Sequence, residues 1–573
     1  MKKVKVSDAI VEFLITNRVS DVFGYPGGMI VHLMDSIRKQ HDSISFHLSY
    51  HEQGAAFEAC SWAQITGKTG VAIATSGPGA TNLITGIANA YFDSIPVIFI
   101  TGQVNTNESA RNMPIRQRGF QETDICSVVK PITKAAFYVE NAAQCMEVFK
   151  EAFIIAQSGR KGPVLIDLPM NVQRAEIDGQ KENPIIYPVE EENVSQENEY
   201  KINSMLHSSK RPLIILGNGI RNSKDFSKPL LRNLITKIGL PVALTLPAVD
   251  LLESGHSNNY GLIGAYGNRI ANILAEKSDL IIALGARLDV RQVGGSRRQF
   301  APKANIIRVD IDRDELSYKV HDDDINICAD GFSVLKQIEC DPNTYIEWNH
   351  ICTAIRKKLQ QLRIDELSSN NIAAAVSQFI PDDAIITTDV GQNQIWMAQS
   401  FQFQNQDCLT SSGIGSMGYS LPAAIGAYYA CEGKKRVFSF NGDGGIQMNL
   451  QELGVIAREK LPITVIVFNN KALGMIRAFQ EIYFDDYYLT TENSGYENPD
   501  FAKIAEAYGM GYFFINGKDN KALNAALNNI GPTFIEIYMN YPTYIYPKLK
   551  FGERNDNQMP YLPDDILNWI RSL

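Results

Sequence analysis

Residues 436–445, Arg436-Val437-Phe438-Ser439-Phe440-Asn441-Gly442-Asp443-Gly444-Gly445, and residues 463–470, Ile463-Thr464-Val465-Ile466-Val467-Phe468-Asn469-Asn470, decide how this chain folds. Apolar runs of this kind read as strands buried on both faces of a parallel sheet. The segment between them, Gln447 to Lys460, has helical spacing, so the whole is one βαβ unit with polar residues at both strand ends.

Ligands of open α/β sheets collect beyond the carboxyl ends of the strands, which puts Asp443 and Asn470 on one crevice. An oxygen-only donor set suits Mg²⁺, which takes one or two protein oxygens and fills its shell with phosphates and water. Asp443, the amide oxygen of Asn470 and the backbone carbonyl of Ala472 are the expected ligands. Gly442, Gly444 and Gly445 are expected to leave room for a phosphate to approach the backbone. A Gly-Asp-Gly alone is a common strand-to-helix turn; the asparagine pair ending the next strand makes it a metal-diphosphate reading.

The rest of the chain bounds the class. It has 573 residues, 45% of them apolar, enough for several cores, and a net charge of −9 with signs mixed throughout. That balance argues against nucleic acid and against a membrane surface. The start, Met1-Lys2-Lys3-Val4-Lys5-Val6-Ser7-Asp8, lacks the apolar stretch of a signal peptide, and no run approaches a membrane span. Eight cysteines are scattered without a C-x-x-C pair, which fits neither zinc nor a disulfide framework and points to a cytoplasmic chain with reduced thiols.

Apolar strand runs alternate with helical segments along almost the whole length. Val71–Thr75, Val97–Ile100 and Val164–Leu168 belong to a first unit, residues 1–178. A Glu-, Asn- and Pro-rich stretch from Gly179 to Lys201 reads as a linker. A second unit, 202–335, carries Leu213–Gly217, Leu280–Gly285 and Ile306–Asp312, with ends suited to a nucleotide-like ligand. The third unit spans 365–539, and a tail rich in Tyr and Pro, 540–573, is expected over a surface or the mouth of the site. The expected fold is α/β with three doubly wound parallel-sheet domains.

The asparagine-spaced motif resembles the thiamin-diphosphate motif, and ordered blocks extend the likeness over nearly the whole chain. Phe23-Gly24-Tyr25-Pro26-Gly27-Gly28, His51-Glu52-Gln53-Gly54-Ala55, Thr75-Ser76-Gly77-Pro78-Gly79-Ala80-Thr81-Asn82, Phe120-Gln121-Glu122, Pro131-Ile132-Thr133-Lys134, Asp389-Val390-Gly391-Gln392 and Met417-Gly418 carry it. Together they resemble the acetolactate synthase catalytic subunits, of the pyruvate oxidase group of thiamin-diphosphate enzymes. The resemblance implies a transferase that decarboxylates pyruvate and joins the two-carbon unit to a second 2-oxo acid, in branched-chain amino acid biosynthesis. It leaves as alternatives a carboligase for another carbonyl acceptor, such as a keto-sugar, and a pyruvate oxidase-type flavin oxidoreductase.

The resemblance also assigns residues. It makes Glu52 the carboxylate that hydrogen-bonds the aminopyrimidine ring, Met417 the wedge that holds the cofactor bent, and Gln121 and Phe120 the polar and apolar walls beside the donor; Gln103 is a further polar candidate there. Tyr25, Pro26, Gly27, Pro78, Asn82, Val390, Gly391, Gln392, Asn393, Gly415, Leu473, Gly474 and Met475 join the Mg²⁺ residues around the cofactor. FAD, largely structural, is assigned to Arg160, Gly264, Gly267, Arg287 and Asp310 in and beside the second unit. The acceptor is assigned to Arg291, Phe479, Met29 and Lys134. Because Glu52 and the diphosphate residues lie in different units, the resemblance implies a homodimer or homotetramer, and it leaves room for a regulatory subunit.

Departures from the family cluster in the acceptor pocket. Phe479 stands where a tryptophan is usual, Val290 replaces an acidic residue, Tyr50 an arginine, Met170 a lysine and Asn393 a histidine. Met29 stands for an alanine, and Arg116-Gln117-Arg118-Gly119 replaces the usual lead into Phe120. The tail segment Tyr546-Pro547-Lys548-Leu549-Lys550-Phe551-Gly552 lacks the family's usual covering element. Intact cofactor residues beside a rewritten acceptor pocket put the acceptor's identity in question.

Overall fold

A computed structural model describes all residues except 1–2, 112, 180–182, 188–193, 363–367, 485 and 487. Three six-stranded sheets, each parallel throughout, carry the chain. Numbering strands within each sheet, the first (Asp21–Gly24 to Val164–Pro169) and the third (Ile385–Thr388 to Thr533–Tyr538) share one order, 2-1-3-4-6-5. The middle sheet (Pro212–Leu216 to Ile325–Cys328) runs 3-2-1-4-5-6, the order of dinucleotide-binding folds. The expected three doubly wound α/β units are therefore present.

Both strands that opened the sequence argument are in the third sheet, Val437–Gly442 beside Ile463–Asn469, paired from Val437 with Ile463 to Gly442 with Phe468. Their side chains are buried on both faces, which is why the runs are continuous rather than alternating. The connection differs from the single helix expected over Gln447–Lys460. A 3₁₀ segment, Ile446–Glu452, breaks at Asn449 before a short α-helix, Leu453–Arg458. The Asn449 side chain is spent across that break, donating to the carbonyl of Gly418 and to Gln53.

The first and third domains pack through two largely buried, Ala-rich helices, Glu52–Thr66 and Ser420–Ala430. Small residues let the backbones approach closely: a Cβ on Gly426 would stand 2.1 Å from the carbonyl oxygen of Glu58. Glu452 of the third domain reaches across to accept from the Tyr50 backbone N–H at 3.1 Å. It thereby fixes the loop that leads into Glu52.

One end of the expected linker is helical, and the next boundary lies outside the described residues. The linker read over 179–201 lies partly outside the described residues, and its end is already helix, Gln196–Ser208, capped by Ser195. The start of the third unit at 365 also lies outside the described residues. The tail does more than cover a surface. Leu562, Ile566 and Ile570 are buried in the middle domain's core with Trp348 and Ile355, so the helix Asp564–Ser572 is part of that domain. Among the described residues no helix is long and apolar enough to cross a membrane, and all eight cysteines are free.

Candidate active site

Asp443 leaves the end of its strand almost fully buried, with Oδ1 accepting from the Gly444 N–H at 2.9 Å. Oδ2 accepts from the Ala472 N–H at 3.2 Å and from Asn498 Nδ2 at 2.8 Å. Asn470 Oδ1 accepts from the same Ala472 N–H at 3.2 Å. The two side-chain oxygens proposed for the metal thus converge on one point of the next strand's exit loop, beside the third proposed ligand, Ala472. Burial pushes the Asp443 carboxyl up to about 6, against the pull of Asn498 and the loop amides. A cation placed between these oxygens would relieve that burial cost, so the residues fit a divalent metal.

The orientation of Asn470 is set from behind. Its Nδ2 donates to Gln392 Oε1 at 3.1 Å and to Thr543 Oγ1 at 2.6 Å, and Thr543 Oγ1 donates to Gln392 at 2.7 Å. Thr543 belongs to the tail, and Asn498 to the loop before Phe501–Ala507. Neither figured in the sequence reading. Asp389 was also missed as a site residue: it is fully buried and accepts from the N–H groups of Gly418 and Val390 at 2.8–3.0 Å. Burial raises its carboxyl to about 7.

The glycines of the loop are also required by packing that the sequence did not show. A Cβ on Gly445 would meet Asp389 Oδ2 at 2.4 Å, one on Gly444 the Leu473 side chain at 2.6 Å, and one on Gly442 Asn393 Oδ1 at 3.3 Å. Protein atoms themselves exclude side chains there. Open backbone lies instead at Gly415, at φ +70° with only Val390 within 4 Å of a Cβ. Met417 Cε lies beside Gly444, so Gly415, Met417, Val390, Leu473 and the Gly442–Gly445 loop line one groove. Gly391, Gln392 and Asn393 close its floor, with Asn393 Nδ2 donating to the Asp389 carbonyl at 2.8 Å. Gly474 packs against Gln392 and Asn470, and Met475 faces the neighbouring pocket.

In the first domain Glu52 begins the buried helix Glu52–Thr66 and is 8% exposed. Its Oε2 accepts from Asn82 Nδ2 at 2.9 Å, and Oε1 stands 3.1 Å from where a Cβ on Gly79 would be. The Pro78–Asn82 turn therefore frames the carboxylate. Gly27 packs on Thr75, while Tyr25 is 41% exposed beside Pro26. The Phe120-Gln121 tip projects: Phe120 is 80% exposed and Gln121 holds φ +62°, a left-handed conformation. Glu122 clamps the tip, accepting from Ser109 Oγ and from the N–H groups of Ala110, Arg118 and Gly119 at 2.6–3.1 Å.

Two expected residues have their side chains engaged within the fold, and the place of a third is fixed by its backbone. The Lys134 ammonium donates to the carbonyls of Ile155 and Ser158, at 2.5 Å each, capping the helix Cys145–Gln157 where unpaired carbonyls attract a cation. Gln103 is consumed by Asp167, Thr123 and the Val104 N–H inside the core. Met29 sits in the 3₁₀ turn Gly28–Ile30, where its N–H donates to Thr75 Oγ1 and its carbonyl accepts from Gln173 Nε2.

Two further cavities adjoin this ground. One lies at the carboxyl end of the middle sheet, at its topological switch between Asn218-Gly219 and Gly285, and is lined by Arg160, Arg287, Asp289 and Asp310. Arg160 crosses from the first domain to pair with Asp312 and Glu315, both at 2.9 Å. Gly264 lies at φ +113°, and Gly267 abuts the Leu262 carbonyl; both are demanded by local packing. The other cavity is lined by Tyr266, Arg291, Gln392, Met475, Phe479 and Lys548. It brings together Arg291 and Phe479, two of the four residues assigned to the acceptor, and adds the tail.

A three-domain α/β chain with a buried carboxylate in the first domain and an Asp-Asn oxygen site in the third defines a class, the thiamin-diphosphate enzymes. Family models agree: the N-terminal TPP binding domain of thiamine pyrophosphate enzymes matches residues 4–128, the central domain 200–338 and the C-terminal TPP binding domain 389–537. The chain is 35% identical over 565 residues to the acetolactate synthase isozyme 2 large subunit of Escherichia coli (strain K12), covering 96% of this chain and 99% of that protein. It is 36% identical over 564 residues to the isozyme 1 large subunit of the same organism, covering 97% of each. With the acetolactate synthase large subunit of Lactococcus lactis it shares 34% over 575 residues, 98% of each. The chain belongs to the acetolactate synthase large-subunit family.

Proposed function

We propose that this chain is a thiamin-diphosphate- and Mg²⁺-dependent carboligase of the acetolactate synthase type, with pyruvate as donor and a second 2-oxo acid as acceptor. The observation that carries it is the pairing of the Asp443–Asn470 oxygen site with the framed Glu52 carboxylate, in a chain aligned over nearly its full length with acetolactate synthase large subunits. Pyruvate loses CO₂, its remaining two-carbon unit forms a C–C bond to the acceptor's carbonyl carbon, and that carbonyl oxygen takes a proton. No net oxidation occurs, so flavin is not consumed.

Bound thiamin diphosphate supplies the carbon that adds to the donor and the electron sink that lets CO₂ leave. The protein's part is placement and proton control. Asp443, Asn470 and the Ala472 carbonyl would hold Mg²⁺ and through it the diphosphate. Met417, beside Gly444, would brace the cofactor, and Glu52 would hold and share a proton at the pyrimidine ring nitrogen. Gln121, kept at the loop tip by Glu122, would meet the donor, with Phe120 as an apolar wall. Arg291, whose guanidinium has no partner among the described residues, would bind the acceptor carboxylate, and Phe479 would set the size of its side chain.

The switch-point cavity fits FAD as a structural cofactor: the sheet order, the glycine backbone of Gly219 and Gly285, and Arg160, Arg287 and Asp310 on its walls are what a dinucleotide needs. The assembly is a homodimer or a homotetramer. Supporting this, apolar residues are exposed on both the first and the third domain, including Tyr25, Phe120, Ile414 and Met448. Product analysis after incubation with pyruvate, Mg²⁺, thiamin diphosphate and FAD tests the reading. Acetolactate and CO₂ are expected in equal amounts; CO₂ without any carbon–carbon product would overturn it.

A further inference from the structure

Resting on that reading, we infer that the acceptor pocket takes a carbonyl substrate carrying a second anionic group, a carboxylate or phosphate set apart from the reacting carbonyl, and that Lys548 binds it. Lys548 lines the pocket with Arg291 and Phe479 and is only 9% exposed. Its ammonium has neither a hydrogen bond nor an ion pair among the described residues. A buried cation left in that state is costly, and such groups persist where a ligand completes them.

The surroundings do not supply the missing charge. Burial holds Lys548 below the ordinary lysine range, with only a partial counter-pull from Glu481. Glu481 is itself engaged, accepting from the Tyr544 hydroxyl at 3.2 Å and lying 3.7 Å from Arg477 Nε. Among the described residues no carboxylate lines this pocket, whereas Arg291, Lys548 and Lys550 all do. A simple 2-oxo acid brings one negative charge, which Arg291 satisfies. Lys548 is left for another.

The lysine is also held in place rather than carried on a loose tail. Its backbone exchanges hydrogen bonds with Met559, at 3.0 and 2.7 Å, and the next residue, Leu549, donates to the Ala265 carbonyl at 2.7 Å. A side chain anchored on both sides of its Cα can be a recognition element with a defined reach.

The test compares 2-oxo acid acceptors that differ in their distal charge, with pyruvate as donor: 2-oxoglutarate against its distal amide, and 3-phosphohydroxypyruvate against hydroxypyruvate. The charged member of at least one pair is expected to show kcat/KM higher by about tenfold, the scale of one charge-assisted contact. The pair that responds tells carboxylate from phosphate. Lys548→Met, with Lys548→Gln as a second variant should the first fold poorly, is expected to erase the preference through KM while kcat for the charged acceptor changes little. Equal rates within both pairs, or a preference surviving in both variants while acetolactate still forms, would overturn the inference alone. Absence of carboligation with every acceptor would remove the proposed function and this inference with it.

Discussion

The groove around Asp443 and the pocket around Phe479 share Gln392 and Met475 as neighbours, yet they are built in opposite ways. In the groove nearly every polar group is buried and spoken for: Asp443, Asp389, Asn470 and Asn393 each hold two or more protein partners or pack against backbone. In the pocket the aromatic walls are open and the cations are unpaired. Phe479 is 54% exposed, Phe551 83%, and the charged groups of Arg291 and Lys548 have no protein partner among the described residues. On the proposed function, the first site would hold one cofactor in one geometry and is locked by its own hydrogen bonds, whereas the second would select among acceptors and leaves its recognition groups to be satisfied by the ligand.

If that contrast is correct, substitutions in the groove should be severe and those in the pocket graded. Glu52→Gln keeps the shape of the framed carboxylate and removes its proton sharing, so acetolactate formation should fall by about 10²–10⁴-fold with the circular dichroism spectrum intact. Near-normal turnover would take Glu52 out of the chemistry. Asn498→Ala leaves the metal oxygens in place but removes the amide that orients Asp443; Mg²⁺ affinity should drop by about 10–100-fold, as for other supports behind metal ligands. An unchanged titration would make Asn498 a loop residue only.

The metal site should also respond to proton concentration. Burial raises Asp443 to about 6, so in the metal-free protein this group is protonated below that pH and ionised above it. A cation requires the ionised form; affinity should therefore be flat above pH 6 and fall by about tenfold per pH unit below it. Calorimetric titration at several pH values measures this, and a flat profile down to pH 5 would mean the carboxyl is already ionised. The smallest effect is expected in the pocket. Phe479→Trp adds bulk at a half-exposed wall, so the ratio of products from competing 2-oxo acids should move by about two- to tenfold with total turnover preserved. A constant ratio would remove Phe479 from acceptor selection.

Much of this was legible in the chain. The apolar runs at 437–442 and 463–469 read as buried parallel strands, and once they were adjacent the Asp443–Asn470 crevice followed. What escaped was whatever depends on contacts between distant segments. Asn498 and Thr543 sit in stretches without periodicity, and only the folded chain brings them to Asp443 and Asn470. The loop glycines, read as room for a phosphate, are also demanded by protein packing on their Cβ side, because no local pattern says which side of a loop its neighbours will occupy. Lys134 stood in a recognisable block, but its amine is claimed by the end of a helix nearby in space.

The docking of Leu562, Ile566 and Ile570 into the middle domain has a bearing on how the protein is made. The sheet spanning Pro212–Leu216 to Ile325–Cys328 emerges from the ribosome well before these residues, and until they arrive its core stays open on one side. The same late segment brings Thr543, the latch behind Asn470. Folding during synthesis can thus complete the first domain early, but the central domain and the cofactor groove reach their final form together, when the chain has been translated past Ile570.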